Sequence, residues 1–148
     1  MQKFSRPIQI RWSDIDANRH LRHSAYYDYG AVLRVLFLSE QGLTIEKMET
    51  TGVGPILFRE EAIFKREVVF TDQLTMDLEC TKATPDYTRW SIRHNLIKHD
   101  GTVAAIITVD GAWIDLAKRK VAGPIDIIIN AFKAMPQAPD FTEIIRER

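Results

Sequence analysis

The chain has 148 residues, of which 45% are hydrophobic, and its 20 basic residues equal its 20 acidic residues in number. This length suits one globular domain with a substantial apolar core. Because the net charge is zero, no overall field favours nucleic acid or an anionic membrane, and we expect neither as a partner. The sequence opens without a signal-peptide run, contains no apolar stretch of about 18 residues, and has a single cysteine, Cys80, so it predicts a cytoplasmic protein.

The first part of the chain predicts one strand followed by one long buried helix. Apolar and polar residues alternate from Ile8 to Trp12, which is the period of a strand with one buried face. After a polar stretch, Ser24 stands where a helix N-cap is expected, and residues 25–41 are predicted to form the helix. Apolar side chains occupy most of its circumference, so we expect a sheet to enclose it.

The remainder predicts about four antiparallel strands, which gives an α+β domain. β-Like segments at 56–70 and 74–82 follow a connector, and an alternating segment then leads to an Asp100-Gly101 hairpin signal. The almost wholly apolar segment 103–114 is typical of a central strand. We predict a single domain over residues 1–148, with a core at about 5–116 and a short amphipathic helix (125–135) and polar tail within 117–148.

Ionisable and amide side chains crowd the junction between the strand and the helix, in residues 12–26. The first turn of a helix offers unpaired backbone N–H groups and a partial positive charge, which suit an oxygen that becomes negative during reaction. A thioester carbonyl has such an oxygen. A carboxylate just before the helix can attack the carbonyl carbon or deprotonate water, while an amide and an imidazole hold the water or the carboxylate.

The same stretch resembles a known family motif. Asp14, Asp16, His20 and Tyr26 stand in register with the pattern D-x-D-x-x-G-H-V-N-N-x-x-Y, which begins the helix in the 4-hydroxybenzoyl-CoA thioesterase-like branch of the hotdog thioesterase superfamily. The order of predicted elements also resembles that branch over roughly residues 5–116. The chain departs from the pattern at position 19, where arginine replaces the usual glycine, and at positions 22–23, where arginine and histidine replace paired asparagines.

A second resemblance covers fewer residues. Asp16, Asn18 and His20 have the spacing of the D-x-N-x-H set of plant acyl-carrier-protein thioesterases, and Arg66-Glu67 resembles the later Arg-Glu pair of those enzymes. These resemblances imply a hotdog fold, in which an antiparallel sheet of about five strands wraps around one long buried helix. They imply hydrolysis of an acyl or aryl thioester of coenzyme A or acyl-carrier protein to free acid and thiol. We expect no cofactor. Asp16, His20 and His23 could also gather a metal, but no second cluster completes a coordination sphere, so we expect none.

The resemblance also implies roles for individual residues. Asp16 is the candidate nucleophile or general base, Asn18 and His20 are orienting groups, and the backbone N–H of His23 polarises the carbonyl. A homodimer or homotetramer is implied, with each site at a subunit interface and a further carboxylate supplied by the neighbour. The candidates for that carboxylate are Glu60, Glu61 and Glu67, and we select Glu61.

Other side chains are candidates for substrate contacts, and several alternatives stay open. Tyr26 and Tyr27 are candidates for the lining of an acyl pocket, and Arg59 and Arg66 for contacts to a phosphate of the thiol carrier. Aspartate and asparagine also form turns, so the Asp16 segment could simply cap its own loop. His94 shares the apolar side of its strand and is expected to be a satisfied core histidine.

Two other functions remain as alternatives. One is a hydratase of enoyl thioesters on the same fold, whose signature resembles D-x-N-P-x-H. In that signature the histidine falls five residues after the aspartate, whereas His20 is four residues after Asp16 and Arg19 stands in place of the proline. The other is a non-catalytic module that binds an acyl thioester.

Overall fold

The computed structural model describes residues 3–123 and 125–145. In these residues the chain forms seven strands, three α-helices and a 3₁₀ helix at Trp12–Asp14. The predicted positions of the long helix, the central strand and the C-terminal helix are confirmed to within two residues at either end. The elements in chain order are β1 (Phe4–Ile8), α1 (Ala25–Glu40), α2 (Ile45–Thr51), β2 (Val53–Phe64), β3 (Leu74–Ala83), β4 (Arg89–Lys98), β5 (Val103–Asp115), β6 (Lys120–Val121), α3 (Asp126–Ala134) and β7 (Gln137–Glu143).

The strands form one curled, mostly antiparallel sheet in the order β1-β3-β4-β5-β2. The two-residue β6 pairs with the end of β5, and β7 joins β3 in parallel on the side of β3 that β1 also occupies. In the described part of the chain, β2 pairs only with β5, so its other edge carries unpaired backbone groups. The predicted antiparallel sheet around a helix is therefore confirmed.

Helix α1 lies against the concave face of this sheet. Its buried residues Tyr26, Tyr29, Leu33 and Phe37 recur at the spacing of one helical face and pack into a core with fully buried side chains from the central strands. The opposite face is not covered, because Val32, Val35 and Leu36 are 51%, 49% and 40% exposed. The prediction of complete enclosure is thus wrong for a single chain, since one sheet layer covers only one side of a helix.

The predicted first strand begins too late in the sequence. The strand occupies Phe4–Ile8, and Trp12 stands in the 3₁₀ helix with 74% of its surface exposed. The chain turns here because the Asp14 carboxylate accepts hydrogen bonds from the backbone N–H and the guanidinium of Arg11, at 3.0 and 2.9 Å. Alternation of apolar and polar residues over five positions does not reveal that a side-chain hydrogen bond turns the backbone here.

Three further differences concern the connecting segments. The predicted connector before β2 contains α2, which Thr44 caps by accepting a hydrogen bond from the Lys47 N–H at 3.1 Å. Residues 65–70 are not a strand, because the N–H groups of Lys65 and Arg66 both donate to the Ala104 carbonyl and bend the chain out of the sheet. The predicted polar tail includes β7. None of the helices in the described ranges is long and apolar enough to cross a membrane.

Candidate active site

A closed loop between the 3₁₀ helix and α1 holds Asp16. The Asp16 N–H donates to the His20 carbonyl at 2.9 Å, and the Arg19 N–H donates to the Asp16 carbonyl at 3.0 Å. The Asp16 Oδ1 accepts hydrogen bonds from the N–H groups of Asn18 and His20, at 2.9 and 3.2 Å. No described residue donates to Oδ2. Asp16 therefore does cap its own loop, and one of its oxygens is left free to react.

Arg19 stands in this loop where the family pattern has glycine. Its φ of 66° lies in the left-handed region that glycine adopts without steric cost. Arginine at this position therefore adopts a backbone conformation that glycine would adopt at lower cost.

Asp14 anchors the loop from inside the protein. Its carboxylate is fully buried and accepts hydrogen bonds from Tyr29 Oη at 2.8 Å and from the guanidinium groups of Arg11 and Arg22. Burial would raise the pKa of Asp14, but the hydrogen bonds from Arg11 and Tyr29 outweigh it and hold the pKa below its ordinary value. Arg22, which stands where the family pattern has asparagine, thus takes part in fixing the strand–helix junction.

The first turn of α1 presents open backbone donors. Ser24 occupies the N-cap position, but its side chain makes no capping hydrogen bond and instead contacts the Arg22 guanidinium. The N–H of His23 has no acceptor among the described residues. A helix start without a side-chain cap is suited to receive a ligand oxygen.

A cleft of about 370 Å³ lies beside this helix start. Its two walls are held together by a hydrogen bond of 2.8 Å from the Leu21 N–H to the Val68 carbonyl, and His20 Nε2 lies 3.2 Å from Glu67 Oε2 across it. The segment 65–67, which bends away from the sheet after β2, supplies the second wall. The lining residues are Asp16, His20, Leu21, His23, Tyr26, Phe64, Lys65, Arg66 and Glu67.

Tyr26 forms the apolar floor of the cleft. Its ring is buried and packs edge to face on Phe64, with the centroids 4.9 Å apart. Burial raises the pKa of the Tyr26 hydroxyl, and the negative charge of Asp16 acts in the same direction. The hydroxyl therefore stays protonated and can donate a hydrogen bond.

The structure brings together most of the predicted site residues. Asp16, His20, His23, Tyr26 and Arg66 all line the cleft. Two other predicted site residues do not line the cleft. Asn18 contacts Asp16 through its backbone N–H, and Tyr27 packs against the core.

Glu61 and Arg59 are placed elsewhere. Both lie on β2 opposite the outer-facing positions Thr108 and Asp110, and they pair with each other on the face of the sheet that points away from α1. Neither residue lines the cleft of its own chain, and the role of Glu61 as a carboxylate supplied by the neighbouring subunit and the phosphate contact of Arg59 stay predictions. The alternation of a strand puts Glu60 on the helix side instead, where its Oε2 is 3.9 Å from Arg34 Nη2.

A second cavity was not predicted from the sequence. It has about 290 Å³, lies beside the C-terminal half of α1, and is walled by apolar side chains that include Trp90 and Trp113, together with Arg34. The only sequence signal was the arginine within the otherwise apolar helix segment 31–38. The other residues that line the cavity come from elements distant in the sequence, among them β2, β4 and α3, and no local pattern relates these elements to one another.

A family model described as "Thioesterase-like superfamily" matches residues 10–145. The chain belongs to the thioesterase-like superfamily. No curated protein matches it significantly.

Solved structures share the fold. A hypothetical protein from Staphylococcus aureus in complex with CoA has a TM-score of 0.83 and 21% identity, over 93% of this chain and 88% of that protein. A 1,4-dihydroxy-2-naphthoyl-CoA thioesterase from Synechocystis has a TM-score of 0.80 and 17% identity, over 90% and 97% of the two chains. A DHNA-CoA thioesterase from Staphylococcus aureus has a TM-score of 0.74 and 16% identity, over 82% and 80%.

The family and the fold confirm the prediction of a hotdog thioesterase, and they support thioester hydrolysis as the reaction class. The acyl group, the thiol carrier, the assembly and the roles of the site residues stay predictions.

Proposed function

We propose that this protein hydrolyses acyl thioesters of coenzyme A in the cleft at the start of α1, with Asp16 as nucleophile or general base. The observation that carries this proposal is the convergence in one cleft of an exposed carboxylate with a free oxygen and an uncapped helix start. A carboxylate supplies the attacking electron pair or removes a proton from water, and backbone N–H groups stabilise the developing oxyanion.

In this arrangement each residue has a definite task. The loop hydrogen bonds fix the Asp16 Oδ1, which leaves Oδ2 available to attack the carbonyl carbon or to deprotonate water. The His23 N–H polarises the thioester oxygen. His20, held by Glu67 at 3.2 Å, orients the water. Water adds its hydroxyl to the acyl carbon, the carbon–sulfur bond breaks, and the remaining proton passes to the departing thiolate.

Basic side chains at the rim of the cleft suit the phosphates of coenzyme A. Lys65 and Arg66 are exposed, line the cleft and follow directly after β2. Arginine and lysine bind phosphate oxygens through charge-assisted hydrogen bonds. We assign to Lys65 and Arg66 the phosphate contacts that the sequence predicts for Arg59 and Arg66.

We further propose that the working unit is a dimer joined through β2. An unpaired edge strand is usually covered, and large apolar side chains are exposed on β2 and on the adjoining face of α1. Pairing two β2 strands about a twofold axis would continue the sheet and cover both surfaces. The exposed apolar residues concerned are Leu57, Phe58, Ile63, Phe64, Val32, Val35 and Leu36.

Such a dimer also supplies an acyl site. Phe64 borders the cleft and Leu57 borders the apolar cavity, but along one strand they are roughly 20 Å apart, at about 3.3 Å per residue. Because the register shift between Leu57 and Arg59 takes Phe58 out of the ladder, a twofold axis at Glu61 would set the Phe64 of one chain beside the Leu57 of its partner. The acyl group leaving the cleft of one subunit would then enter the cavity of the other.

The experiment is a thiol-release assay over acyl-CoA substrates of different chain length and over aryl-CoA substrates, run in parallel with an enoyl-CoA hydration assay. Release of CoA that Asp16→Asn abolishes supports the proposal. Hydration without thiol release would establish the hydratase alternative, and saturable binding without turnover would establish a binding module. Parallel reactions with acyl-carrier-protein thioesters decide the carrier.

A further inference from the structure

The apolar cavity beside α1 has one charged side chain in its wall. Arg34 is the only ionisable residue among those that line it, and its side chain is 12% exposed. The neighbouring walls are formed by Val35, Leu38 and Trp113. A guanidinium in such surroundings is largely desolvated. None of its nitrogen atoms is both fully buried and unpaired, so those without an acceptor among the described residues stay accessible to a ligand.

His94 fixes the position of this guanidinium. Its ring is fully buried, its Nδ1–H donates to the Asp77 carbonyl at 2.9 Å, and its Nε2 lies 3.0 Å from Arg34 Nη1. Burial and the charge of Arg34 lower the pKa of His94 to about 3, so the ring is neutral and Nε2 accepts. The expectation of a core histidine with satisfied hydrogen bonds is confirmed, because both ring nitrogens have a partner, one of which is Arg34 in the cavity wall.

Most donors of Arg34 remain free. Arginine has five N–H groups, and among the described residues only His94 accepts from one of them. Glu60 Oε2 is 3.9 Å from Nη2, which is too far for a hydrogen bond but close enough to offset the positive charge. The cavity wall therefore offers fixed donors whose charge is already balanced.

We propose that Arg34 recognises a neutral oxygen, a hydroxyl or a keto group, carried by an otherwise apolar acyl chain or ring. Such an oxygen accepts the free N–H groups without adding charge. A carboxylate would bring a second negative charge close to Glu60 in an apolar cavity, so we expect it to be disfavoured. As a statement about acyl groups this rests on the proposed function; as a statement about the cavity it stands on the contacts of Arg34.

Binding to the cavity can be measured without catalysis. The chain has three tryptophans, and two of them, Trp90 and Trp113, line the cavity. In a Trp12→Phe background, tryptophan fluorescence reports on that cavity alone. The probes are methylcyclohexane, cyclohexylmethanol and cyclohexanecarboxylate, which share a ring and differ in carrying no oxygen, a neutral hydroxyl or a carboxylate.

We expect Arg34→Met to weaken binding of cyclohexylmethanol, relative to methylcyclohexane, by about tenfold or more. We expect the carboxylate to bind more weakly than the alcohol. Arg59→Met is the matched control, because Arg59 lies on the outer face of β2 and does not line the cavity. Should Arg34→Met not fold, Arg34→Lys retains the charge opposite Glu60 but not the planar donor set, and it should also reduce the alcohol preference.

An unchanged ratio of the two affinities in either Arg34 variant overturns the proposal. Tighter binding of the carboxylate than of the alcohol overturns the choice of a neutral group. In the thiol-release assay, the ratio of kcat/KM for ω-hydroxyacyl-CoA over plain acyl-CoA of equal length should fall in Arg34→Met. If no substrate releases thiol, the proposed function fails, while the binding measurement still decides the assignment of Arg34.

Discussion

Two carboxylates only two positions apart have different surroundings in this site. Asp14 is fully buried and accepts hydrogen bonds from three side chains, whereas Asp16 is exposed and keeps a free oxygen. The motif alone does not distinguish the roles of the two residues. Asp14 becomes the anchoring group because of the turn at Arg11 and the hydrogen bond from Tyr29, which is fifteen residues after Asp14 in the chain.

The left-handed conformation of Arg19 leads to a prediction about stability. A non-glycine residue with positive φ is strained, and glycine removes this strain. Because glycine also loses more backbone entropy on folding, the net effect of Arg19→Gly should be a free energy of unfolding that is higher by about 0.5–1 kcal/mol. Urea denaturation measures this change. Arg119→Gly, at another left-handed arginine with φ 57° that does not line the cleft, is the comparison. A loss of stability in Arg19→Gly alone would show that its side chain holds the loop.

The buried His94 leads to a prediction about pH. The pKa of His94 is about 3 in the folded protein, against about 6.5 in an unfolded chain, so the unfolded state binds the extra proton between these values. Above about pH 6.5 the ring of His94 is neutral in both states and does not lower the free energy of unfolding. As the pH falls below this value, protonation of the unfolded state lowers the free energy of unfolding by up to about 1.4 kcal/mol per pH unit.

Unfolding free energies of His94→Gln between pH 7 and pH 4 should therefore depend less steeply on pH than those of the wild type. The exposed His99 provides the control variant, His99→Gln, and the difference between the two variants isolates the buried ring. Equal slopes in the wild type and His94→Gln would contradict a neutral, buried imidazole.

At the scale of the elements, close packing of the central strands makes a further prediction. A Cβ at Gly111 would lie 2.4 Å from the Ile56 carbonyl oxygen and 2.6 Å from the Trp90 ring. Gly111→Ala should therefore separate β2 from β5 and lower the free energy of unfolding by about 1–3 kcal/mol. At Gly123 a Cβ would meet nothing within 4 Å, so Gly123→Ala is the control in the same denaturation experiment.

The elements that could be predicted are those whose own residues determine them. Helix α1 has a mostly apolar segment that ends before Gly42, and β5 has a nearly continuous apolar run, so composition locates both elements. Strands β1 and β7 owe their bounds to pairing with β3, a partner distant in the sequence. The division of Glu60 and Glu61 between faces follows from strand alternation, but which of them faces α1 depends on the register with β5.

At the scale of the whole molecule, the exposed apolar surface of β2 and α1 predicts self-association. Val32→Lys and Ile63→Lys place a charge on the helix part and the strand part of this surface, and neither residue lines the cleft or the cavity. We expect each variant to shift the protein toward monomer in sedimentation velocity and to lose activity in parallel, because the acyl site would be divided.

The control for this pair is Val121→Lys, which puts the same charge on an exposed apolar position of β6. It should leave both the assembly and the activity unchanged. A wild-type protein that is monomeric and fully active would contradict the proposed dimer.

A matched pair of variants tests whether the carboxylate of Asp16 carries out the hydrolysis. Asp115 binds its own turn as Asp16 does, with Oδ1 accepting from the N–H groups of Ala117 and Lys118 at 2.9 Å each, but it does not line the cleft. Asparagine keeps the accepting oxygen at both positions and removes the charge. In single-turnover hydrolysis of the best acyl-CoA substrate, Asp16→Asn should slow the reaction by about 10²–10⁴-fold, while Asp115→Asn keeps the wild-type rate. Equal rates for the two variants would contradict the assignment of the site.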